Sequence, residues 1–226
     1  SPGRSALIER RYRKLTHYLR SKIGYDVELL HDIHERLPPA QAIQLAKALE
    51  PFRLFFLEDP FAPEDVPWFQ HLRAQCSTPL AMGELFVNRH EWLPLVTNRW
   101  IDFIRLHISA VGGLSMARKV AACCEFFNVR TAWHGPSNVS PVGHAVNMHL
   151  DLSTYNFGIQ EENVFSDPVR TVFPGAPEFK RGYMYSNDKP GLGIDIDEKA
   201  AAKFPFQTPG RNRGTDRRLD GTIVRP

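Results

Sequence analysis

Three acidic residues recur at an equal spacing along the chain, and each directly follows a short apolar run. Asp32, Glu58 and Glu84 are separated by 26 residues at each step. A strand, a loop and a helix together occupy roughly that length, so the spacing predicts β/α units that build a parallel sheet. Neighbouring parallel strands lie about 4.8 Å apart, so carboxylates at matching strand ends should converge on one point.

Carboxylates held together in this way repel one another unless a cation lies between them. Oxygen ligands, without clustered Cys or His, favour a hard divalent ion such as Mg2+. The alternative is that each acid caps a helix or lies in a solvated loop, as acidic residues often do. Three acids in the same phase, each after an apolar run, favour the metal site.

The same periodicity predicts the order of elements in the chain. Strands are expected at 26–32, 53–58, 79–83, 101–106, 129–133 and 157–161, and helices at 5–22, 38–50, around 68–72, and at 89–97, 115–127 and 140–151. Six strands are compatible with two α/β folds, a barrel that lacks its first two strands and an open doubly wound sheet, because a closed barrel has eight.

Two regions follow from this pattern. We expect residues 1–164 to form the metal-binding β/α portion. Residues 165–226 should form an irregular segment that packs on the barrel or on a capping domain, with a turn at Pro190–Gly193 and a short helix at 197–203.

The composition excludes several classes of protein. Hydrophobic residues make up 42% and charged residues 23%, as in an ordinary globular protein. The formal charge of +3 is small, the basic stretches at 10–14 and 211–218 are expected to be solvated surface, and no motif indicates nucleic-acid binding. No apolar run approaches the roughly 20 residues of a membrane span, and no signal peptide opens the chain. Cys76, Cys123 and Cys124 lack metal-ligand spacing, which favours free thiols and a cytoplasmic location.

Polar residues stand at the predicted carboxyl ends of the strands, where parallel α/β proteins place their active sites. They are Asp32, His34, Glu58, Asp59, Glu84, Arg105, His107, His134, Glu161 and Glu162. His34 lies two residues after Asp32, so an extended backbone directs both side chains to one face and sets an imidazole beside a metal-bound substrate. Arg105 would suit a substrate carboxylate or hydroxyl. A rigid turn, Gly135-Pro136, would hold His134 at the barrel mouth.

Several of these residues also have a purely structural interpretation. His34 could be a capping or surface histidine, Arg105 could pair with the acid of a neighbouring strand, and Glu161 could be a partner for Arg105 or a lysine. The chain contains no Gly-rich phosphate loop, no GxSxG nucleophile elbow and no Cys-His pairing with metal spacing.

Acids at three successive strand ends, with Asp-x-His on the first and Glu-Asp-Pro on the second, resemble the enolase superfamily, and within it the mannonate dehydratase group, which includes proteins labelled starvation-sensing. The resemblance covers nearly the whole chain. The motifs that carry it are Leu30–Leu37 (LHDIHERL), Phe56–Pro60 (FLEDP), Gly83–Phe86 (GELF), Ala110–Gly113 (AVGG), His134–Ser137 (HGPS), Asn156–Glu161 (NFGIQE) and Asp188–Gly193 (DKPGLG).

The resemblance implies a TIM-type (β/α)7β barrel, incomplete here, with Mg2+ held by Asp32, Glu58 and Glu84. The implied reaction is the dehydration of a sugar acid of the D-mannonate or D-gluconate type. The proton α to the carboxylate is abstracted, Mg2+ stabilises the enediolate, and the 3-hydroxyl leaves to give a 2-keto-3-deoxy sugar acid. His34 would protonate the departing hydroxyl and His134 would join it in the catalytic set. The implied substrate-binding residues are Arg105, His134, Asn138 and Glu161, and a homo-oligomer is expected.

The chain departs from the family pattern in three respects. It has no counterpart of the capping domain or of the first two barrel strands, and no candidate for the proton-abstracting tyrosine and its arginine partner. Asn138 stands where many members carry Asp. Arg105 occupies the position of the Asp in a racemase-type His-Asp dyad, which argues against that mechanism.

Three hypotheses therefore remain from the sequence. The first is the barrel portion of an acid-sugar dehydratase, and the second is a catalytically silent metal-binding homologue with a regulatory or structural role. The third is an unrelated six-stranded α/β binding protein, in which the three carboxylates would not converge.

Overall fold

Strands alternate with helices along most of the chain, as the spacing of the acids predicts. The computed structural model describes residues 4–206, with side chains from residue 10 onward. The chain divides into two compact units, one up to Ile104 and one from Arg105. The predicted boundary between 164 and 165 remains a prediction.

The first unit contains four helices and four short parallel strands. They are α1 (Arg4–Ile23), β1 (Leu30–Asp32), α2 (Pro39–Leu49), β2 (Phe56–Glu58), α3 (Trp68–Arg73), β3 (Leu80–Met82), α4 (Arg89–Thr97) and β4 (Phe103–Ile104). Two 3-10 turns, Glu50–Phe52 and Pro63–Asp65, join these elements. Each α-helix and strand of this unit lies where the sequence predicts it, although the strands are shorter than predicted.

Local signals explain the helix boundaries in this unit. Pro39 at the first turn of α2 needs no hydrogen-bond partner for its nitrogen. Asn88 and Glu91 form a reciprocal capping box at the start of α4. The apolar face of α2 is fully buried in the core: Ala42, Leu45, Ala46 and Leu49.

Helix α1 forms where the sequence predicts a helix. Its apolar side chains Leu15 and Tyr18 are 53% and 58% exposed. Arg20 anchors the end of this helix, because it is buried and donates to four backbone carbonyls, those of Gly24, Val27, Phe52 and Arg53. A guanidinium with five donors can satisfy several orphan carbonyls at once, which an apolar side chain cannot.

The second unit continues the alternation and then changes character. It contains α5 (Leu114–Phe126), β5 (Arg130–Thr131), α6 (Pro141–Leu152), α7 (Asp167–Val172), β6 (Glu178–Lys180), β7 (Tyr183–Tyr185) and α8 (Glu198–Ala201). No helix among residues 4–206 has the length and apolar character required to cross a membrane.

The predicted strand at 157–161 does not form, and only an isolated parallel bridge joins Thr131 to Phe157. The side-chain amide of Gln160 donates to the carbonyl of Trp133 at 3.1 Å, so a side chain makes a contact that a backbone ladder would otherwise make. Alternating sequence alone does not reveal such a replacement.

The segment after 165 is more regular than predicted. The strands β6 and β7 form an antiparallel hairpin across a two-residue turn. Arg181 and Gly182 both have positive φ, 53° and 82°, which is the backbone of a type I′ turn. This turn, unlike the one at 190–193, is not predicted from the sequence, because Arg-Gly is a weaker hairpin signal than Asn-Gly. The part of the predicted irregular segment from residue 207 onward lies outside the described residues.

Candidate functional site

Four carboxylates of the first unit lie at the carboxyl ends of its strands, and they are referred to here as the carboxylate cluster: Asp32, Glu58, Asp59 and Glu84. Asp32 and Glu58 are direct register partners across β1 and β2. Glu58 is in register with Ala81 of β3, and Glu84 follows after a bend at Gly83, whose φ is 139°. Parallel strand register therefore places these strand-end acids at the same edge of the sheet.

Asp59 is the most deeply buried member of this cluster. It is 1% exposed, and its Oδ1 accepts a hydrogen bond from the Gly83 amide at 3.3 Å. Burial raises the pKa of Asp59 well above its usual range, and the charges of Glu58, Glu84 and Asp32 raise it further. A buried carboxyl surrounded by three others is a site that favours a cation.

His34 lies against the same cluster. Its Nδ1 is 3.0 Å from Asp32 Oδ2 and 3.5 Å from Glu84 Oε1. His34 and Glu35 are consecutive left-handed residues, with φ of 52° and 57°. The Glu35 amide donates to the carbonyl of Asp59 at 2.9 Å, so a neighbouring strand end holds this sharp turn in place.

His34, Asp59 and Glu84 each offer one ligand atom, and these three atoms all lie within 4.8 Å of one another. This group shares only Glu84 with the predicted set of Asp32, Glu58 and Glu84. Carboxylate oxygens with at most one imidazole fit a hard divalent ion. The sequence places Asp59 among the strand-end acids but assigns it no role. Its position next to Glu58 in the Glu-Asp-Pro motif is the sequence feature that could have indicated one.

A second polar group lies entirely in the second unit, and it is called here the arginine cluster: Arg105, His134 and Glu161. Oε2 of Glu161 is 2.9 Å from Arg105 Nη2 and 3.1 Å from His134 Nδ1. The same oxygen accepts a hydrogen bond from the Gly135 amide at 2.8 Å. Because a carboxylate only accepts, His134 carries its proton on Nδ1 and directs Nε2 elsewhere.

The charges in the arginine cluster are strongly coupled. Burial alone would raise the pKa of Glu161, but hydrogen bonds from His134 and the Gly135 amide, with the charge of Arg105, lower it to about 2. Glu161 is therefore an ion-pair partner of Arg105, which is one of the two partners that its structural interpretation allowed. Arg105 is 5% exposed and also donates to the carbonyl of Ala132 at 3.2 Å.

The other predicted or possible site residues of the second unit differ in their surroundings. Asn138 is exposed and has no hydrogen bond to the arginine cluster among the described side chains. His107, which the sequence analysis named without a role, has its ring centroid 5.8 Å from that of His134. Its Nδ1 lies 2.9 Å from the hydroxyl oxygen of Ser109.

Relatives of the chain are D-galactonate dehydratase family members. The chain is 57% identical over 213 residues to the D-galactonate dehydratase family member RspA of Pantoea ananatis, a match that covers 94% of this chain and 51% of that protein. It is 56% identical to a member of the same family from Salmonella enteritidis, with the same coverage. The chain thus spans about half the length of the curated relatives it matches.

Solved structures show the same fold. An enolase from Pantoea ananatis with bound D-gluconate and Mg superimposes with a TM-score of 0.93 at 56% identity, over 96% of this chain and 52% of that one. An enolase from Agrobacterium radiobacter with bound Na and L-malate gives a TM-score of 0.86 at 28% identity, over 98% of this chain and 59% of that one. The predicted superfamily and the TIM-type barrel fold, of which this chain contains part, are confirmed. The family model for the enolase C-terminal domain-like proteins matches residues 10–200, and the chain belongs to that family.

Proposed function

We propose that this chain is the metal-binding and substrate-binding portion of a Mg2+-dependent acid-sugar dehydratase, a hydro-lyase. The observation that carries the proposal is the carboxylate cluster, in which the buried carboxyl of Asp59 is close enough to Asp32, Glu58 and Glu84 for their charges to raise its pKa. The bound Mg and D-gluconate of the Pantoea ananatis enolase support the same ion and the same class of ligand.

Asp32, Glu58 and Glu84 are the proposed metal ligands, and His34 and Asp59 lie within reach of the same ion. A divalent cation held there would neutralise the negative charge that develops when the proton α to a carboxylate is removed. The chain's own contribution is an array of carboxylate oxygens at the strand ends, in which Glu58 and Asp59 are buried. Backbone hydrogen bonds between neighbouring strand ends hold this edge of the sheet in place.

His34 is the proposed general acid. The Asp32 carboxylate accepts from its Nδ1 proton at 3.0 Å, which orients the ring and leaves Nε2 to deliver a proton to the departing 3-hydroxyl. The product of this elimination would be a 2-keto-3-deoxy sugar acid. Without a positioned acid, hydroxide would have to leave, so loss of this group should cost about 10²- to 10⁴-fold in rate.

The arginine cluster is the proposed contact for the sugar acid. Arg105 provides a permanent charge and His134 provides Nε2, while Glu161 holds both side chains in position. Asn138 is a further candidate for substrate contact from the exposed turn after Pro136. A six-carbon aldonic acid of the D-gluconate type is the first substrate to test, and D-mannonate is the second.

The test is turnover of sugar acids by the full-length protein that contains this chain. Purified protein with Mg2+ is incubated with a set of aldonic acids, and 2-keto-3-deoxy products are measured as semicarbazones. We expect one or more six-carbon acids to be converted, and the Glu58→Gln variant to be inactive. Binding of Mg2+ without turnover of any acid would instead support the silent metal-binding homologue.

A homo-oligomer and a cytoplasmic location remain predictions. The three cysteines are free thiols in the structure, which agrees with the predicted reducing compartment. Sedimentation analysis of the full-length protein would establish its oligomeric state.

A further inference from the structure

His107 is a polar residue of the second unit for which the proposed dehydration has no role. It lies two residues after Arg105, and Leu106 between them is fully buried. The Leu106 carbonyl accepts a hydrogen bond from the His134 amide at 3.1 Å, so the backbone is still paired with its neighbour here. Side chains two residues apart on extended backbone point to the same side, which places His107 beside the arginine cluster.

The orientation of the His107 ring is determined by its neighbours. Nδ1 is engaged with the Ser109 hydroxyl at 2.9 Å, and the ring is inclined by 52° to that of His134. Nε2 has no hydrogen-bond partner among residues 10–206 and is not one of the buried unpaired atoms. The ring therefore presents its second nitrogen to solvent, next to the proposed substrate contacts.

The ring is expected to be neutral. Burial lowers the pKa of His107, and the neighbouring His134 and His144 lower it further, against a smaller opposing contribution from a backbone hydrogen bond. When the Ser109 hydroxyl donates to Nδ1, the single ring proton lies on Nε2. A neutral donor next to a charged guanidinium suits a hydroxyl oxygen, whereas Arg105 suits a carboxylate.

We propose that His107 is a substrate-contacting residue that donates from Nε2 to a hydroxyl oxygen of the sugar acid, and so contributes to the choice among aldonic acids. This inference rests on the proposed function, because it assigns a contact within the same sugar-acid site. Ser109 is the positioning residue that keeps the proton on Nε2.

The experiment is calorimetric titration of the full-length protein with D-gluconate in the presence of Mg2+, for wild type and three variants of one residue. His107→Gln places an amide nitrogen near the position of Nε2, His107→Asn places it near Nδ1, and His107→Phe retains only the ring. We expect Kd to stay within about 3-fold of wild type for His107→Gln and to rise about 10-fold for the other two, as for one lost neutral hydrogen bond.

Specificity provides a second measurement. With D-gluconate analogues that each lack one hydroxyl, the penalty of His107→Phe should disappear for one analogue, the one that lacks the contacted oxygen. Ser109→Ala should raise Kd in the same direction by a smaller factor. Thermal unfolding of each variant identifies any that do not fold. If His107→Phe does not fold, the Kd values of His107→Gln and His107→Asn are compared instead.

The possible outcomes distinguish a failure of the contact assigned to His107 from a failure of the proposed function. If wild type binds sugar acids and all His107 variants bind equally well, the role of His107 is refuted and the proposed function stands. If wild type binds no sugar acid with Mg2+ present, the proposed function fails and the contact assigned to His107 fails with it.

Discussion

Replacement of Glu161 by Gln should destabilise the full-length protein, because it removes the one charge that Arg105 and His134 share. The pKa of Glu161 falls from its ordinary 4.5 to about 2 in the folded chain. Such a shift corresponds to about 3 kcal/mol of differential stabilisation of the carboxylate. The Glu161 side chain is 34% exposed, and screening by solvent reduces the expected loss to about 2 kcal/mol at pH 7.

The pH dependence of this loss has a definite sign. A carboxyl whose pKa is lowered on folding stabilises the protein above its unfolded pKa and ceases to do so as the pH falls through the folded value. The difference in unfolding free energy between wild type and Glu161→Gln should therefore be constant from pH 7 to about pH 5. It should fall to roughly half near pH 3.

Urea denaturation at a series of pH values measures this difference directly. Arg105→Met is the matched background, because it removes the cation while it retains much of the side-chain volume. In that background the effect of Glu161→Gln should shrink by more than half, since the two residues interact directly. A difference that is constant between pH 7 and pH 3, or one that is unchanged in the Arg105→Met background, would refute the electrostatic account.

Three further predictions follow from the described contacts. Asp59→Asn should raise the melting temperature of the metal-free protein, because the raised pKa of Asp59 marks a carboxylate that is costly to ionise. Asp59→Asn and Glu58→Gln should each reduce the increase in melting temperature that added Mg2+ produces. An undiminished increase in Glu58→Gln would show that Glu58 does not bind the metal. Gly135→Ala should destabilise by about 2 kcal/mol or more in urea, because the added methyl would overlap the backbone oxygen of Glu161 and press on His144; a neutral effect would contradict the packing. Residues 1–226 in isolation should self-associate in sedimentation velocity experiments, since α1 and β1 expose several large apolar side chains, and a monomer that unfolds cooperatively would contradict this.

The sequence predicts the structure best where a residue pattern is compatible with only one arrangement of the chain. An apolar run that ends in an acid, repeated with room for a helix between, is satisfied by parallel β/α units, and Asp32 and Glu58 are indeed register partners. The helices near 38–50 and 89–97 were predictable for a related reason, since Pro39 and the Asn88–Glu91 capping box mark their starts within a few residues.

The sequence predicts the structure least well where a side chain, rather than another backbone group, forms the hydrogen bond to a backbone carbonyl. Arg20 holds α1 by four carbonyls, and Gln160 occupies the carbonyl of Trp133 where a sixth strand was expected. Neither contact leaves a periodic trace, because each depends on a single polar side chain that meets backbone distant in sequence. The Arg181-Gly182 turn was missed because its left-handed backbone is only weakly signalled by its residue types.

By itself the sequence determined that this chain is built of β/α units with acids at the strand ends, because spacing and apolar patterning act locally along the chain. Only the tertiary structure decided that Asp59 is buried among the charges of the carboxylate cluster and that one oxygen of Glu161 contacts Arg105, His134 and the Gly135 amide. The reason is physical: burial and charge at a site are sums over neighbours that the fold brings together from distant positions, and no single segment contains them.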